Sequence, residues 1–249
     1  MIFVIAGVAI VIIAALVVFF TSEDVQIGRR ISTTQVESVR EYIESCVEDG
    51  LITKLDELKR QGGLNNLNNV REEFGSFEFN VLYGPEITNS VSSVENVQRF
   101  ISDDIEDILK NDCSLQPFTE NFDINEEEAK SKLNVRTSVD KKIVTVTAFY
   151  PLKVSRGDSI TEINEISVSI EDNFGSMRDH AEFIVTRFSD DLLRVEDIPN
   201  ICARSPFNDD DIDCGAAPVG NGNLIFIGKK EDFPVEGRSI NKVFIFIIK

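Results

Sequence analysis

The chain of 249 residues contains no tryptophan, only three tyrosines and a single histidine, His180. Proteins that stack bases or sugars use exposed aromatic side chains, whereas 18 phenylalanines without tryptophan are typical of ordinary core packing. No C-x-x-C pair occurs, so the usual zinc-ligand patterns are missing. We therefore expect no base-stacking surface, no zinc site and no cofactor, and we interpret His180 as a structural or surface residue.

Basic residues are scarce as well. Lysine and arginine number 25 against 43 aspartates and glutamates, which gives a formal net charge of −18. Nucleic acids and anionic membrane surfaces are bound by clustered basic side chains. The composition thus predicts no nucleic-acid partner and an acidic surface that favours solubility.

The motifs of the common enzyme classes are also missing. The glycine-rich piece Gly215–Gly222 follows no predicted strand and ends in no Lys-Ser/Thr pair, so it is not a phosphate-binding loop. Nothing in the sequence assembles a nucleophile, a base and an oxyanion hole. We expect a protein that is not an enzyme.

Three aspartates have the spacing of the first ligands in an EF-hand calcium loop: Asp209, Asp211 and Asp213. Such a loop needs glycine at its sixth position and glutamate at its twelfth, where this chain has Cys214 and Gly220. An EF-hand is therefore excluded. A looser extracellular calcium site stays open as an alternative to a solvated acidic loop.

What the chain does have is a long apolar run, Ile2–Phe20, without charge, amide or proline. At about 1.5 Å per residue, a helix of this length matches a bilayer core of roughly 30 Å. Three interpretations compete: a cleaved secretory signal, a simple membrane anchor, and a pilin-type helix that leaves the membrane to pack against copies of itself. Small residues in the run would allow close helix approach. The residues expected to make membrane or assembly contacts are Ile2, Phe3, Ala6, Gly7, Ile10, Ile13, Leu16, Phe19 and Phe20.

Four cysteines follow the apolar run. An even number of cysteines behind a membrane segment favours two disulfides and a location outside the cytoplasm. Of the three possible pairings we favour Cys202 with Cys214, as a small loop, and Cys46 with Cys113, joining two helices. The alternative is a cytosolic domain with free, buried thiols.

Apolar residues at three- and four-residue steps predict three amphipathic helices. The first is capped by Thr33 or Thr34 and ends at Gly62-Gly63. The second runs from about Ser93 to Asn111, and the third from about Gly175 to Leu193.

Alternation of apolar and polar residues predicts three consecutive strands, Leu133–Val139, Ile143–Val154 and Ser159–Ile170. Short turns join them, so we expect an antiparallel meander with one wet face, the other being covered by the third helix. Pro151 marks a bulge or an edge position in the middle strand.

Further strands are predicted at Phe77–Val81, Leu224–Ile227 and Lys242–Ile248. The last is apolar on both faces, which places it at the centre of a sheet or at a subunit contact. The predicted fold class is α+β: a long N-terminal hydrophobic helix, transmembrane or pilin-like, followed by a head in which amphipathic helices pack on an antiparallel β-meander. We divide the chain into a hydrophobic helix (1–22), a linker and amphipathic helix (23–63) and an extracellular head (64–249).

Several stretches resemble a family of membrane-anchored, pilin-like surface proteins of small-genome archaea. They are the apolar run, YIESCVEDGLITKLDELKRQGG with Cys46, the second helix closing on Cys113, FYPLKVSRGDSITEINEISVSI, and the final VFIFII. The resemblance covers most of the chain. In that family the apolar run is similar to the class III signal of archaeal type IV pilins, whose lead ends near Lys-Gly-Gln, and this sequence departs from it in having no lead.

The resemblance implies a structural subunit of a type IV pilus-like extracellular filament. Such a subunit lies in the membrane before assembly and forms a homo-oligomer through its N-terminal helices, with Arg29-Arg30 at the collar. Its head is exposed at the cell surface for adhesion or cell contact. The alternative is a single-copy, membrane-anchored extracellular binding or envelope protein, and an anchored enzyme is a third hypothesis.

Overall fold

The computed structural model describes residues 36–65, 71–74, 77–84, 91–190, 194–198, 212–219, 221–229 and 243–249. In these ranges the helices are α1 (36–60), α2 (Val94–Asn111), α3 (Glu126–Ser131) and α4 (Phe174–Ser189). The strands are β1 (Arg71–Phe74), β2 (Phe77–Tyr83), β3 (Asp123–Ile124), β4 (Asn134–Val139), β5 (Ile143–Arg156), β6 (Ser159–Glu171), β7 (Ile212–Val219), β8 (Gly222–Lys229) and β9 (Phe244–Ile248).

Local signals account for the ends of the two long helices α1 and α2. Gly62 and Gly63 follow α1 with φ of 64° and 79°, a conformation that glycine adopts without steric strain. The Gly63 amide donates to the carbonyl of Leu58 at 2.7 Å and so satisfies a helix-end acceptor. At the start of α2, the Ser93 side chain accepts a hydrogen bond from the amide of Asn96 at 3.2 Å.

The first sheet is built around β5. Strand β6 pairs with one edge of β5 along most of its length, and β4 and β3 share the other edge, all antiparallel. Phe149 pairs with Glu165 and Leu152 with Ile163, so two residues of β5, one of them Pro151, lie opposite one residue of β6. The strands β4, β5 and β6 therefore form a meander with a bulge at the proline.

One face of this sheet is buried and the other is wet. The pattern along β5 alternates, with Val144, Val146 and Ala148 fully buried. On the opposite face hydroxyl groups pair across the strands, with 2.8 Å between Thr145 Oγ1 and Ser169 Oγ. Such cross-strand pairs stabilise a face that has no core beneath it.

The second sheet has five strands in the order β1-β2-β9-β8-β7. Strands β2 and β9 are parallel, and the other neighbours are antiparallel. The central strand β9 is buried at all five positions. Phe244, Phe246 and Ile248 point into the main core, whereas Ile245 and Ile247 belong to a second apolar cluster on the opposite face.

Helices connect the two sheets through the main core. Helix α4 contacts β5 of the first sheet and β2, β8 and β9 of the second. Helix α2 packs on β4, where Ser102 Oγ lies 2.9 Å from Thr137 Oγ1. Buried residues of α1, α2, α4 and both sheets form one continuous hydrophobic cluster, so α4 covers both sheets and not the meander alone.

The predicted fold class is wrong in two respects, although the described residues are α+β. First, no helix among the described residues is long and apolar enough to cross a membrane, and the helix predicted at 1–22 lies outside those residues. Second, the strands form two sheets, one with a parallel pair, and not a single antiparallel meander. The pairing of β2 with β9 joins strands far apart in the chain, and a local pattern carries no record of such a partner.

Three shorter elements also differ from the prediction. Helix α3, which begins in a run of three glutamates, and the strands β1 and β7 were not predicted. Strand β7 contains Gly215 and Pro218, residue types that are rare in strands. Proline is tolerated there because β7 is the last strand of its sheet, where one edge needs no backbone donor.

Candidate functional site

A disulfide fastens α1 to the end of α2. It joins Cys46, half-buried on α1, to Cys113, buried just after α2, with Cα atoms 6.2 Å apart and a sequence separation of 67. The two helices touch nearby, because a Cβ added to Gly50 would lie 2.6 Å from Cδ1 of Ile108. The bond thus fixes a helix pair that is already in close contact.

Cys214 lies on β7 and is disulfide-bonded as well. Cys202, the partner predicted for it, lies outside the described residues. Of the calcium candidates, Asp213 is in β7 and its Oδ1 accepts a hydrogen bond from the Cys214 amide at 2.9 Å. Asp209 and Asp211 lie outside the described residues, and within those residues no group of three metal-ligating side chains occurs.

The residues predicted for membrane and assembly contacts, from Ile2 to Phe20, also lie outside the described part of the chain. The same holds for Arg29-Arg30. His180 is buried on α4, where its Nδ1 lies 2.7 Å from the carbonyl oxygen of Ser176.

A cavity of about 270 Å³ opens where α1, the end of β6, the start of α4 and the end of β8 meet. Its apolar walls come from α1, β6 and α4 and consist of Ile52, Leu55, Ile170 and Met177. Its charged lining is Asp56, Lys59, Glu171, Asp172 and Lys229. Six of the ten lining residues are charged or polar, so the cavity is more polar than the usual pocket for a drug-sized ligand.

Three of the charged lining residues form ion pairs within the fold. Lys59 is buried, and its Nζ lies 2.6 Å from Asp172 Oδ2 and 3.6 Å from Asp56 Oδ1. The other oxygen of Asp172 accepts the amide of Phe174 at 2.8 Å. Asp172 therefore satisfies the first turn of α4 and ties it to α1 at once, and Lys59 has little freedom to turn toward a ligand.

The rest of the charge is uncommitted. Within the described residues, the Lys229 ammonium and the Glu171 carboxylate make neither a hydrogen bond nor an ion pair. Lys229 is half-buried and Glu171 is exposed. The cavity thus offers one free positive group and one free negative group beside apolar walls.

Among the described residues, the Asn173 Nδ2 and the Tyr150 hydroxyl are buried polar groups that have no hydrogen-bond partner. Asn173 lines the cavity, and Tyr150 lies at the bulge of β5. Burial, followed by the negative charges of Glu126 and Glu127, raises the pKa of Tyr150 well above its ordinary value. This phenol is neutral at physiological pH and is not poised for acid–base chemistry.

Sequence reasoning did not find the cavity. Its walls come from residues near positions 55, 171 and 229, which belong to three separate stretches of the chain. The one local signal is Lys59, a lysine four residues after Leu55 on the apolar stripe of α1, where a charged residue is unexpected without a buried partner.

Comparison with known proteins does not identify the chain further. No protein-family model, no curated protein and no solved structure matches it.

Proposed function

We propose that this protein is a structural subunit of an extracellular, pilus-like surface filament and is not an enzyme. The apolar segment Ile2–Phe20 supplies the contacts in the membrane and between subunits. The disulfide-bonded α+β head is the part exposed to the surroundings. The localisation of the head is outside the cytoplasm.

The observation that carries this proposal is the Cys46–Cys113 disulfide. Disulfides persist in oxidising surroundings and are rare in the reducing cytosol. No described cysteine is free. The charge of −18 keeps such heads apart and soluble when many are displayed together.

The filament is tested by negative-stain microscopy of the full chain expressed in an archaeal host, with two variants. Ile10→Asp places a charge in the apolar segment and should abolish filaments, since a buried unpaired charge is strongly unfavourable. Ile160→Asp makes the same change at a side chain that is 68% exposed on the head, and filaments should persist. Unassembled single particles from the unaltered chain would contradict the filament.

The location is tested on the same material by intact mass, with and without reduction. Each disulfide removes two hydrogens, so the unreduced chain should be lighter than the reduced one. Four free thiols in the native protein would exclude an extracellular head.

A second candidate is a single-copy, anchored binding protein. The cavity beside Lys229 and Glu171 favours it, because a purely structural subunit has no need of uncommitted charges in a concave site. Membrane-bound single particles that carry a ligand would support this candidate over the filament.

A further inference from the structure

The two uncommitted charges of the cavity have opposite sign. Lys229 enters from the end of β8 and Glu171 from the end of β6, and no ion pair joins them. The half-buried Lys229 loses part of its hydration, which a bound carboxylate replaces, and the exposed Glu171 can pair with a cationic group of the same molecule. A ligand here therefore gains most by presenting a negative and a positive group together.

The committed charges argue against a ligand with one charge. The lining holds two lysines and three carboxylates, so a lone anion meets a net negative wall. A lone cation meets the Glu171 carboxylate but also repels Lys229, which has no other partner in the described residues. A zwitterion satisfies both free groups and leaves the pair of Lys59 with Asp172 intact.

Size and wall chemistry narrow the ligand further. A volume of about 270 Å³ corresponds to roughly nine water molecules at about 30 Å³ each, which suits a molecule of about ten non-hydrogen atoms. Leu55, Met177 and Ile170 supply an apolar surface for its body. Leucine has this combination of size, two charges and an apolar side chain.

We propose that this cavity binds a small zwitterion of the apolar α-amino-acid class. The carboxylate of the ligand pairs with Lys229, its ammonium group pairs with Glu171, and its side chain packs against Met177 and Ile170. This assignment does not depend on filament formation, because the cavity lies within one chain.

Methionine NMR gives a direct test on the full-length chain in detergent. The chain has only two methionines, Met1 and Met177, so methyl-labelled methionine yields one signal from the cavity and one from the distant amino end. L-leucine should shift the Met177 signal in a saturable way and leave the Met1 signal in place. Absence of a Met177 shift at tens of millimolar leucine would overturn the proposal.

Two probes separate zwitterion recognition from simple apolar binding. Leucinamide lacks the carboxylate and 4-methylpentanoate lacks the ammonium group. Each should bind about tenfold to a hundredfold more weakly than leucine, since hydrogen bonds to charged groups are strong. Equal binding of all three would overturn the proposal, and this comparison needs no variant.

Substitutions then assign the two charged contacts. Lys229→Gln should weaken leucine binding and leave leucinamide binding unchanged, whereas Glu171→Gln should weaken leucine and leave 4-methylpentanoate unchanged. Lys153→Gln is the matched control, because Lys153 is exposed on β5 and its ammonium lies 3.9 Å from Glu162. An unchanged leucine titration in the first two variants would refute the assignment, and an unchanged far-UV circular dichroism spectrum shows that each variant is folded.

Discussion

The five-stranded sheet is buried on both faces at its central strand, whereas the four-stranded sheet exposes one face to water. Strand β9 at the centre of the five-stranded sheet has the sequence FIFII, and every one of its residues is buried. In strand β6 of the four-stranded sheet, buried and exposed residues alternate. Ile166 and Val168 are buried, and Ser167 and Ser169 are exposed. The two strands share one backbone geometry with a period of two. The difference in their sequences therefore reports what lies on each side of the sheet.

The largest effect is predicted for a substitution in strand β9, which is buried on both faces, and we compare it with a substitution on the exposed face of β5. Phe246→Ala removes a fully buried ring at the centre of the five-stranded sheet and should lower the free energy of unfolding by about 3–5 kcal/mol. Phe149→Ala, on the wet face of β5 where the ring is 47% exposed, should lower it by less than about 1 kcal/mol. Urea unfolding of the full chain, followed by circular dichroism, measures both. Equal losses would mean that the wet face is covered in solution.

The second prediction asks which sheet depends on the disulfide. Replacing Cys46 and Cys113 together by alanine opens a loop that spans 67 positions and should lower the free energy of unfolding by about 2–4 kcal/mol. Because α2 packs on β4, amide hydrogen exchange should rise more in β4, β5 and β6 than in β8 and β9. A uniform rise across both sheets would contradict this division.

The third prediction concerns the glycine at which α4 approaches the four-stranded sheet. A Cβ on Gly175 would lie 2.3 Å from the carbonyl oxygen of Asp140, so backbone has to move. Gly175→Ala should lower the free energy of unfolding by about 1–3 kcal/mol through overpacking. The control is Gly157→Ala in the β5–β6 turn, where φ is +58° and no atom lies within 4 Å.

That control isolates the conformational penalty, which is about 1–2 kcal/mol for a left-handed residue. Thermal unfolding without added ligand measures the loss of stability in each of the two variants. If the Gly175 variant repacked without loss, the contact between α4 and the β4–β5 turn would not be a tight one.

The smallest effect should be stabilising. The Tyr150 hydroxyl is buried on the covered face of the four-stranded sheet and has no hydrogen-bond partner among the described residues, so Tyr150→Phe should raise the free energy of unfolding by about 1 kcal/mol at neutral pH. Burial raises the pKa of this phenol above the ordinary value of 10.0. As pH rises, Tyr150 therefore ionises in the unfolded chain before it ionises in the folded protein. Its contribution to the free energy of unfolding is complete below pH 10 and falls as pH rises beyond that value.

The difference in free energy of unfolding between the unaltered chain and Tyr150→Phe should consequently widen above pH 10. Urea unfolding at neutral pH and at alkaline pH measures this difference. A constant difference at all pH values would show that the hydroxyl is hydrated in the folded protein.

Local features were predictable because their causes are local. The stripe and the glycine end of α1, the Ser93 cap of α2 and the bulge at Pro151 each depend on neighbours within a few residues. The central position of β9 was also predictable, because a strand that is apolar on both faces needs cover on both.

What escaped prediction depends on distant partners. Strand β7 contains glycine and proline and is ordered by its pairing with β8. The parallel contact of β2 with β9 and the cavity between Lys59, Glu171 and Lys229 arise only when separate stretches meet. No window of the sequence contains both sides of such a contact.

The position of Cys46 also determines how the folded part of the chain responds to mechanical tension. Tension that enters α1 from the amino side reaches Cys46 before it reaches residues 47–60, and the sulfur bridge diverts it into α2. The later half of α1, which carries the cavity wall at Leu55 and Lys59, is thereby shielded from peeling. The cavity wall on α1 therefore keeps its shape when the amino end of the helix is pulled.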